Sequence, residues 1–174
     1  MINSTGKVLE ILCTGTFTTA DMRRRVKILS KSFFEYVFFK DSTTIVLDSL
    51  QEYIVSKSSD SDKNILFQVL PVAVAEINVS NIERYFTKLK EEIGLLEVLP
   101  LYLPTELPET EIFKISIWCR KQISPHILLD VHIDESVVGG CAFVHDNKYY
   151  ESSFRRLIVK HPDIITGIID QYAE

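Results

Sequence analysis

Apolar residues recur at helical spacing through the first half of the chain. Met22, Val26, Leu29, Phe33 and Val37 follow one another at intervals of four, three, four and four, which sets them on one face of a helix. Thr18, Thr19 or Asp21 can cap its N-terminus. Phe34, Phe38 and Phe39 widen the apolar surface, so this helix is expected to be central and wrapped by others. Asp41-Ser42 interrupts it and can cap a second helix, in which Leu47, Leu50 and Ile54 share a face. A polar loop over 56–62 precedes a third helix around Ile65, Leu66, Val69 and Ala73, where Pro71 is expected to introduce a kink. Ser80-Asn81-Ile82-Glu83 has the capping-box pattern. The helix it opens carries Ile82, Tyr85 or Phe86, Leu89 and Ile93 on one stripe, with Gly94 where a C-terminal glycine is expected. A further short helix is predicted near residues 8–13.

The texture changes after Gly94. Residues 95–103 are apolar with strand character, and Pro100, which has no N–H to donate, points to an edge strand or a bulge. Residues 105–124 read as a helix with Pro108 in the first turn, an inward face of Ile112, Ile115 or Ser116, Cys119 and Ile123, and Pro125 as its stop. Strict alternation follows: Leu129, Val131 and Ile133 point one way, Leu128, Asp130, His132 and Asp134 the other, predicting a strand with one buried face. A tight connection over 135–140 leads to strands at 141–145 and 148–150 around an Asp146-Asn147 hairpin turn. Arg155 and Arg156 begin a last helical segment, interrupted by Pro162 and followed by an apolar tail with Ile164, Ile165, Ile168 and Ile169. The expected fold class is α+β: an N-terminal bundle of four to six helices over 1–94, then a small αβ domain with a short mixed sheet and a helical tail over 95–174.

Charge sharpens that division. Residues 1–94 hold 12 Lys/Arg and 12 Asp/Glu, whereas residues 95–174 hold 7 and 12, so the net charge of −5 belongs to the second part. An acidic second half argues against broad phosphate-backbone binding and suits a basic protein partner. A composition of 46% hydrophobic and 25% charged residues excludes bulk disorder. No stretch approaches the roughly 20 apolar residues that span a bilayer, and the N-terminus lacks the basic flank and apolar core of a secretion signal. Cys13, Cys119 and Cys141 form no CxxC pair and read as reduced thiols in or near the core.

Candidate chemistry is sparse. Asp130, His132 and Asp134 share a strand face, and His145 on the following strand can lie near them, so a metal site or an acid–base site can be drawn there. The plainer interpretation is the solvated face of a half-buried sheet. No phosphate-binding glycine motif occurs, and no cofactor or metal is expected. The basic run Arg23-Arg24-Arg25-Val26-Lys27, with Lys31, offers a nucleic-acid face; the plainer interpretation is a solvated helix face or an electrostatic contact to an acidic partner, and residues 23, 27 and 31 lie on one side of the helix.

A specific pattern emerges over 126–157. Leu129-Asp130-Val131-His132-Ile133-Asp134-Glu135-Ser136-Val137-Val138-Gly139-Gly140 is a strand, an acidic residue, a small or polar pair, two aliphatics and a double glycine. It continues through Cys141-Ala142-Phe143-Val144, the Asp146-Asn147 turn, and Lys148-Tyr149-Tyr150-Glu151-Ser152-Ser153-Phe154-Arg155. This resembles the C-terminal domain of the F-type ATP synthase delta subunit, the oligomycin-sensitivity-conferring protein of mitochondria, whose strand entry reads "VDPSLIGG". The motif residues here are Asp134, Gly139, Gly140, Ser153 and Arg155. The chain departs from the family in lacking its Arg/Tyr-Ala-Ala-Leu opening, in showing four or five predicted helices rather than six, and in having Asp146-Asn147 and Ser152 where Gly-Asp and Gly are common.

The resemblance implies a non-enzymatic peripheral-stalk subunit on the cytoplasmic face of a bacterial membrane. Its partners would be the N-terminal segments of the alpha subunits, met by the helical domain, and the C-terminal end of the b subunit, met by the αβ domain. Arg23, Lys27, Phe33, Phe34 and Phe38 are the candidate partner-binding residues. The competing expectations are a regulatory or nucleic-acid-binding module using the basic face at 23–31, and a small hydrolase or metal enzyme built on His132 and His145.

Overall fold

The computed structural model describes residues 4–40, 47–160 and 163; the side chains of residues 4, 38–40 and 157 lie outside that description. Five helices precede the sheet among these residues: α1 (Ser4–Gly15), α2 (Thr19–Lys40), α3 (Leu47–Val55), α4 (Asp60–Val74) and α5 (Ile82–Gly94). They are followed by β1 (Val98–Leu103), α6 (Glu109–Gln122), β2 (Leu128–Ile133), β3 (Gly140–His145), β4 (Lys148–Ser153) and α7 (Phe154–Lys160). The architecture is thus α+β, with a helical bundle ahead of a four-stranded mixed sheet.

The bundle core is built from the predicted stripe. Met22, Val26, Leu29 and Phe33 of α2 are buried, and Val37 packs against the same cluster. They meet Val8 and Leu12 of α1, Leu50 and Ile54 of α3, Leu66, Val69 and Leu70 of α4, and Phe86 and Leu89 of α5. Thr18 caps α2: its Oγ1 accepts from the Asp21 N–H at 3.1 Å and donates to the Asp21 carboxylate at 2.7 Å. Ser59 caps α4 by accepting from the Asp62 N–H. Pro71 does sit inside α4. The proposed cap at Asp41-Ser42 and the tail from residue 164 on lie outside the described residues.

Two terminal signals of α5 work differently from their sequence pattern. The capping box does not form: Asn81 is the N-cap without a side-chain cap bond, and its Oδ1 instead accepts from the Asn78 N–H at 2.8 Å. Ser80 Oγ donates to Asn78 Oδ1 at 2.7 Å, so the loop binds itself and draws the serine away. Gly94 is the last helical residue, not a left-handed cap, and Leu95 follows with φ −90°.

Strand order is β2-β1-β3-β4. β1 and β2 run parallel in full register, Val98↔Leu128 to Leu103↔Ile133, joined through α6. β3 is antiparallel to β1 and to β4. The edge strand or bulge expected from Pro100 is therefore corrected, because β1 is interior and pairs with β2 in unbroken register. Its pairing with β3 covers Leu101 and Tyr102 only, so at Pro100 the ladder is with β2 alone and a missing N–H is tolerated. The expectation of one buried face on β2 is corrected as well. Leu128 and Leu129 are both buried, on opposite faces: Leu128 joins the bundle core, while Leu129 joins Leu99, Leu101, Leu103 and Cys119 beneath α6. Toward its C-terminal end β2 emerges, and Ile133 is about half exposed.

The corner between α1 and α2 touches the sheet directly. Leu129 N–H donates to Phe17 O at 2.9 Å, and Thr18 bridges to Leu129 in parallel sense. Phe17 packs edge-on against Phe113 of α6, with centroids 4.9 Å apart, and the Arg120 guanidinium lies 4.7 Å over the Phe17 ring. Arg120 Nη2 also donates to Thr16 O at 2.6 Å.

Candidate functional site

The basic run on α2 divides into two chemically different halves. Arg25, buried, donates from Nε to Asp62 Oδ1 at 2.8 Å and from Nη1 to Gly15 O and Thr16 Oγ1. Arg24 reaches the same carboxylate with Nε at 3.1 Å and Nη2 at 3.0 Å, while its Nη1 pairs with Asp21. Burial alone would raise the Asp62 carboxyl, but hydrogen bonds from Arg24, Arg25 and Ser59 outweigh it and hold the group at about 2. These two arginines are thus occupied in joining α1, α2 and α4. Lys31 pairs with Glu35. Arg23 and Lys27 remain exposed on the side of α2 that faces α5 and the sheet.

There they line a groove of about 550 Å³ between α2, α5 and the start of β1 and β2. Met22, Val26 and Leu128 form its buried apolar base, with half-buried Ile93 beside them. Lys90 stands on the α5 wall opposite Arg23 and Lys27. No Asp or Glu lines the groove among the described residues. Gly94 opens directly onto it, and a Cβ built there would meet nothing within 4 Å. Sequence reading identified Arg23 and Lys27 but not Lys90, Gly94 or Leu128, because only packing brings α5 and β2 beside α2.

The aromatic candidates divide differently. Phe33 is fully buried, its ring 5.7 Å from Phe86 in an edge arrangement, so it belongs to the core and offers no partner surface. Phe34 is half-buried against the same Phe86. The Phe38 side chain lies outside the described residues.

A second recess, about 310 Å³, opens between α6 and the sheet. Leu99, Cys141 and Phe143 line it on the sheet side, and Trp118, 54% exposed, stands at its α6 side. The three thiols are free, and burial raises each of them.

The double-glycine motif has a compact geometric role. Asp134 begins the connection: its Oδ1 accepts from the Ser136 N–H at 2.9 Å and its carbonyl from the Val137 N–H. Gly139 and Gly140 have φ of +66° and +80°. A Cβ on Gly140 would lie 1.9 Å from the Ser152 carbonyl oxygen, and one on Gly139 would strike the Phe154 ring. Phe154 N–H donates to Val138 O, and Ser153 Oγ caps α7 by accepting from the Arg156 N–H at 3.2 Å. Arg155 is exposed. Asp146 and Asn147 both have positive φ, giving the type I′ geometry of a two-residue hairpin.

The Asp130–His132 pair is present, at 3.0 Å, with His132 stacked on Tyr102. Asp130 also accepts from Thr19 Oγ1 at 2.6 Å, so this face of β2 meets the start of α2 rather than solvent alone. That hydroxyl first, and His132 next, hold the Asp130 carboxyl below its usual range. His145 does not join them; its acidic neighbours are Glu97 at 3.9 Å and Asp146 at 3.5 Å. No group of three His, Cys, Asp or Glu able to hold a metal occurs among the described residues, and no described helix is long and apolar enough to cross a membrane. Neither the family models nor the curated proteins compared with the chain match it.

Proposed function

We propose that this chain is a peripheral-stalk subunit of an F-type ATP synthase, joining the catalytic head to the b subunit so that the head resists the torque of the rotor. The observation that carries this reading is the double-glycine motif. Both glycines have positive φ, a Cβ on Gly140 would strike backbone, and Ser153 serves as a helix cap, so the pattern shared with the delta family has a definite structural cause. The order of helical bundle and then αβ sheet supports it too.

A stator strut needs two separate binding surfaces and a stiff connection between them. The α2–α5 groove, whose base takes in Leu128 of the sheet, and the α6–sheet recess supply two separate apolar recesses. The seam at Phe17, Thr19, Arg120, Leu128 and Asp130 supplies the connection through shared packing and hydrogen bonds. On this reading the protein works without catalysis or cofactor, peripheral to the membrane. Its contacts are with the N-terminal segments of the alpha subunits and with the C-terminal end of the b subunit. The nucleic-acid alternative loses weight because Arg24 and Arg25 are spent on Asp62. Affinity purification of the tagged chain from its native membrane fraction is expected to recover alpha and b subunits; recovery of neither would overturn the proposal.

A further inference from the structure

The α2–α5 groove combines features that together define an occupant. Its base is aliphatic, from Met22, Val26 and Leu128, and its walls carry cations on both sides. Arg23 and Lys27 are one helical turn apart on α2, and Lys90 answers them from α5. The ammonium groups of Lys27 and Lys90 have no ion-pair or hydrogen-bond partner among the described residues, and Arg23 has only the more distant field of Asp130. The part that carries all three cations, residues 1–94, is balanced at 12 Lys/Arg and 12 Asp/Glu, so a groove lined by three cations and no carboxylate is a local basic excess.

We infer that the groove is a docking site for an amphipathic helix of another protein, one that presents an aliphatic seam flanked on both sides by Asp or Glu. The seam covers the base, and the flanking carboxylates meet Arg23 and Lys27 on one wall and Lys90 on the other. Apolar burial supplies affinity, and the charges fix the partner's identity and register. Nucleic acid fits less well, because its phosphates would find three cations but would leave the aliphatic base uncovered. The inference rests on the groove's own geometry and charge, independently of the stalk reading.

The test uses the full chain and two labelled peptides of about 18 residues, long enough for several helical turns. Both carry the same Leu/Ile seam; one has Glu on both flanks and the other Lys. Fluorescence anisotropy is expected to show the Glu-flanked peptide binding at least about tenfold more tightly, with affinity falling as salt rises. The double variant Lys27→Glu with Lys90→Glu should invert that preference. Gly94→Phe should abolish binding of both peptides with an unchanged circular dichroism spectrum, since the added ring enters open groove. Three results would each overturn the inference: no binding of the Glu-flanked peptide, equal binding of the two peptides, or binding indifferent to Gly94→Phe. So would competition at this face by a single-stranded oligonucleotide but not by the Glu-flanked peptide. If the peptides discriminate as expected while purification recovers neither alpha nor b subunits, the groove stands and the stalk reading falls.

Discussion

Asp62 is the residue on which the α1–α2–α4 junction depends. It is buried, and it answers two arginines, one of them buried too. Asp62→Ala leaves Arg25 uncompensated and is expected to cost about 3–5 kcal/mol, measurable by urea unfolding. The carboxyl sits at about 2 in the folded chain against an ordinary 3.8, so its stabilisation is complete above about pH 4 and is lost as pH falls toward 2. That loss amounts to about 2–3 kcal/mol, and an Asp62→Asn variant should lack this part of the acid dependence. Three glycines form a graded set at the same scale. Gly140→Ala meets backbone at 1.9 Å with φ at +80° and is expected to unfold the sheet. Gly139→Ala meets the Phe154 ring, which can turn aside, and should cost less. Gly94→Ala meets open space in a helix and should stabilise by up to about 1 kcal/mol. Thermal melts of the three variants rank them; a Gly140→Ala protein as stable as the parent would refute the account of the motif.

Among the elements, the β3–β4 hairpin offers the cleanest test. Asn147 at φ +57° is the second central residue of a type I′ turn, where glycine is the better choice. Asn147→Gly should therefore raise the melting temperature, by an amount corresponding to less than about 1 kcal/mol. This turn was legible in the sequence, as were α2, α3 and α6, because each rests on local periodicity or a local φ preference. What was not legible rests on distant neighbours. Pro100 pointed to an edge or a bulge, yet β1 is interior, and the proline is tolerated there because the pairing with β3 stops short of it. The alternation in β2 pointed to a single buried face, yet Leu128 is covered by a bundle drawn from residues 4–94, well before it in the sequence. Helical spacing set residues 23, 27 and 31 on one side of α2, but no local pattern reveals that Asp62 claims Arg24 and Arg25. The candidate site was visible only as Arg23 and Lys27; Lys90 and Gly94 join them through packing alone.

At the scale of the whole molecule, the two parts are bound through the α1–α2 corner. Thr19→Val with Phe17→Ala removes the Asp130 hydrogen bond and the Phe113 contact while leaving both cores intact. Under the stalk reading this variant should still capture alpha and b subunits but should couple proton flow to ATP synthesis less efficiently, read as a lower ATP yield per proton gradient in reconstituted vesicles. On the same stalk reading, the acidic second part should bind a b subunit less tightly as salt rises. The corner has a further consequence for biosynthesis. β2 is an outer strand, and outer strands invite pairing with foreign chains. The segment that pairs with it at Phe17 and Thr18 leaves the ribosome more than a hundred residues before it does. The cover of this edge at Leu129 is therefore synthesised before the edge itself, which favours capture of β2 by its own chain over pairing with a neighbouring polypeptide.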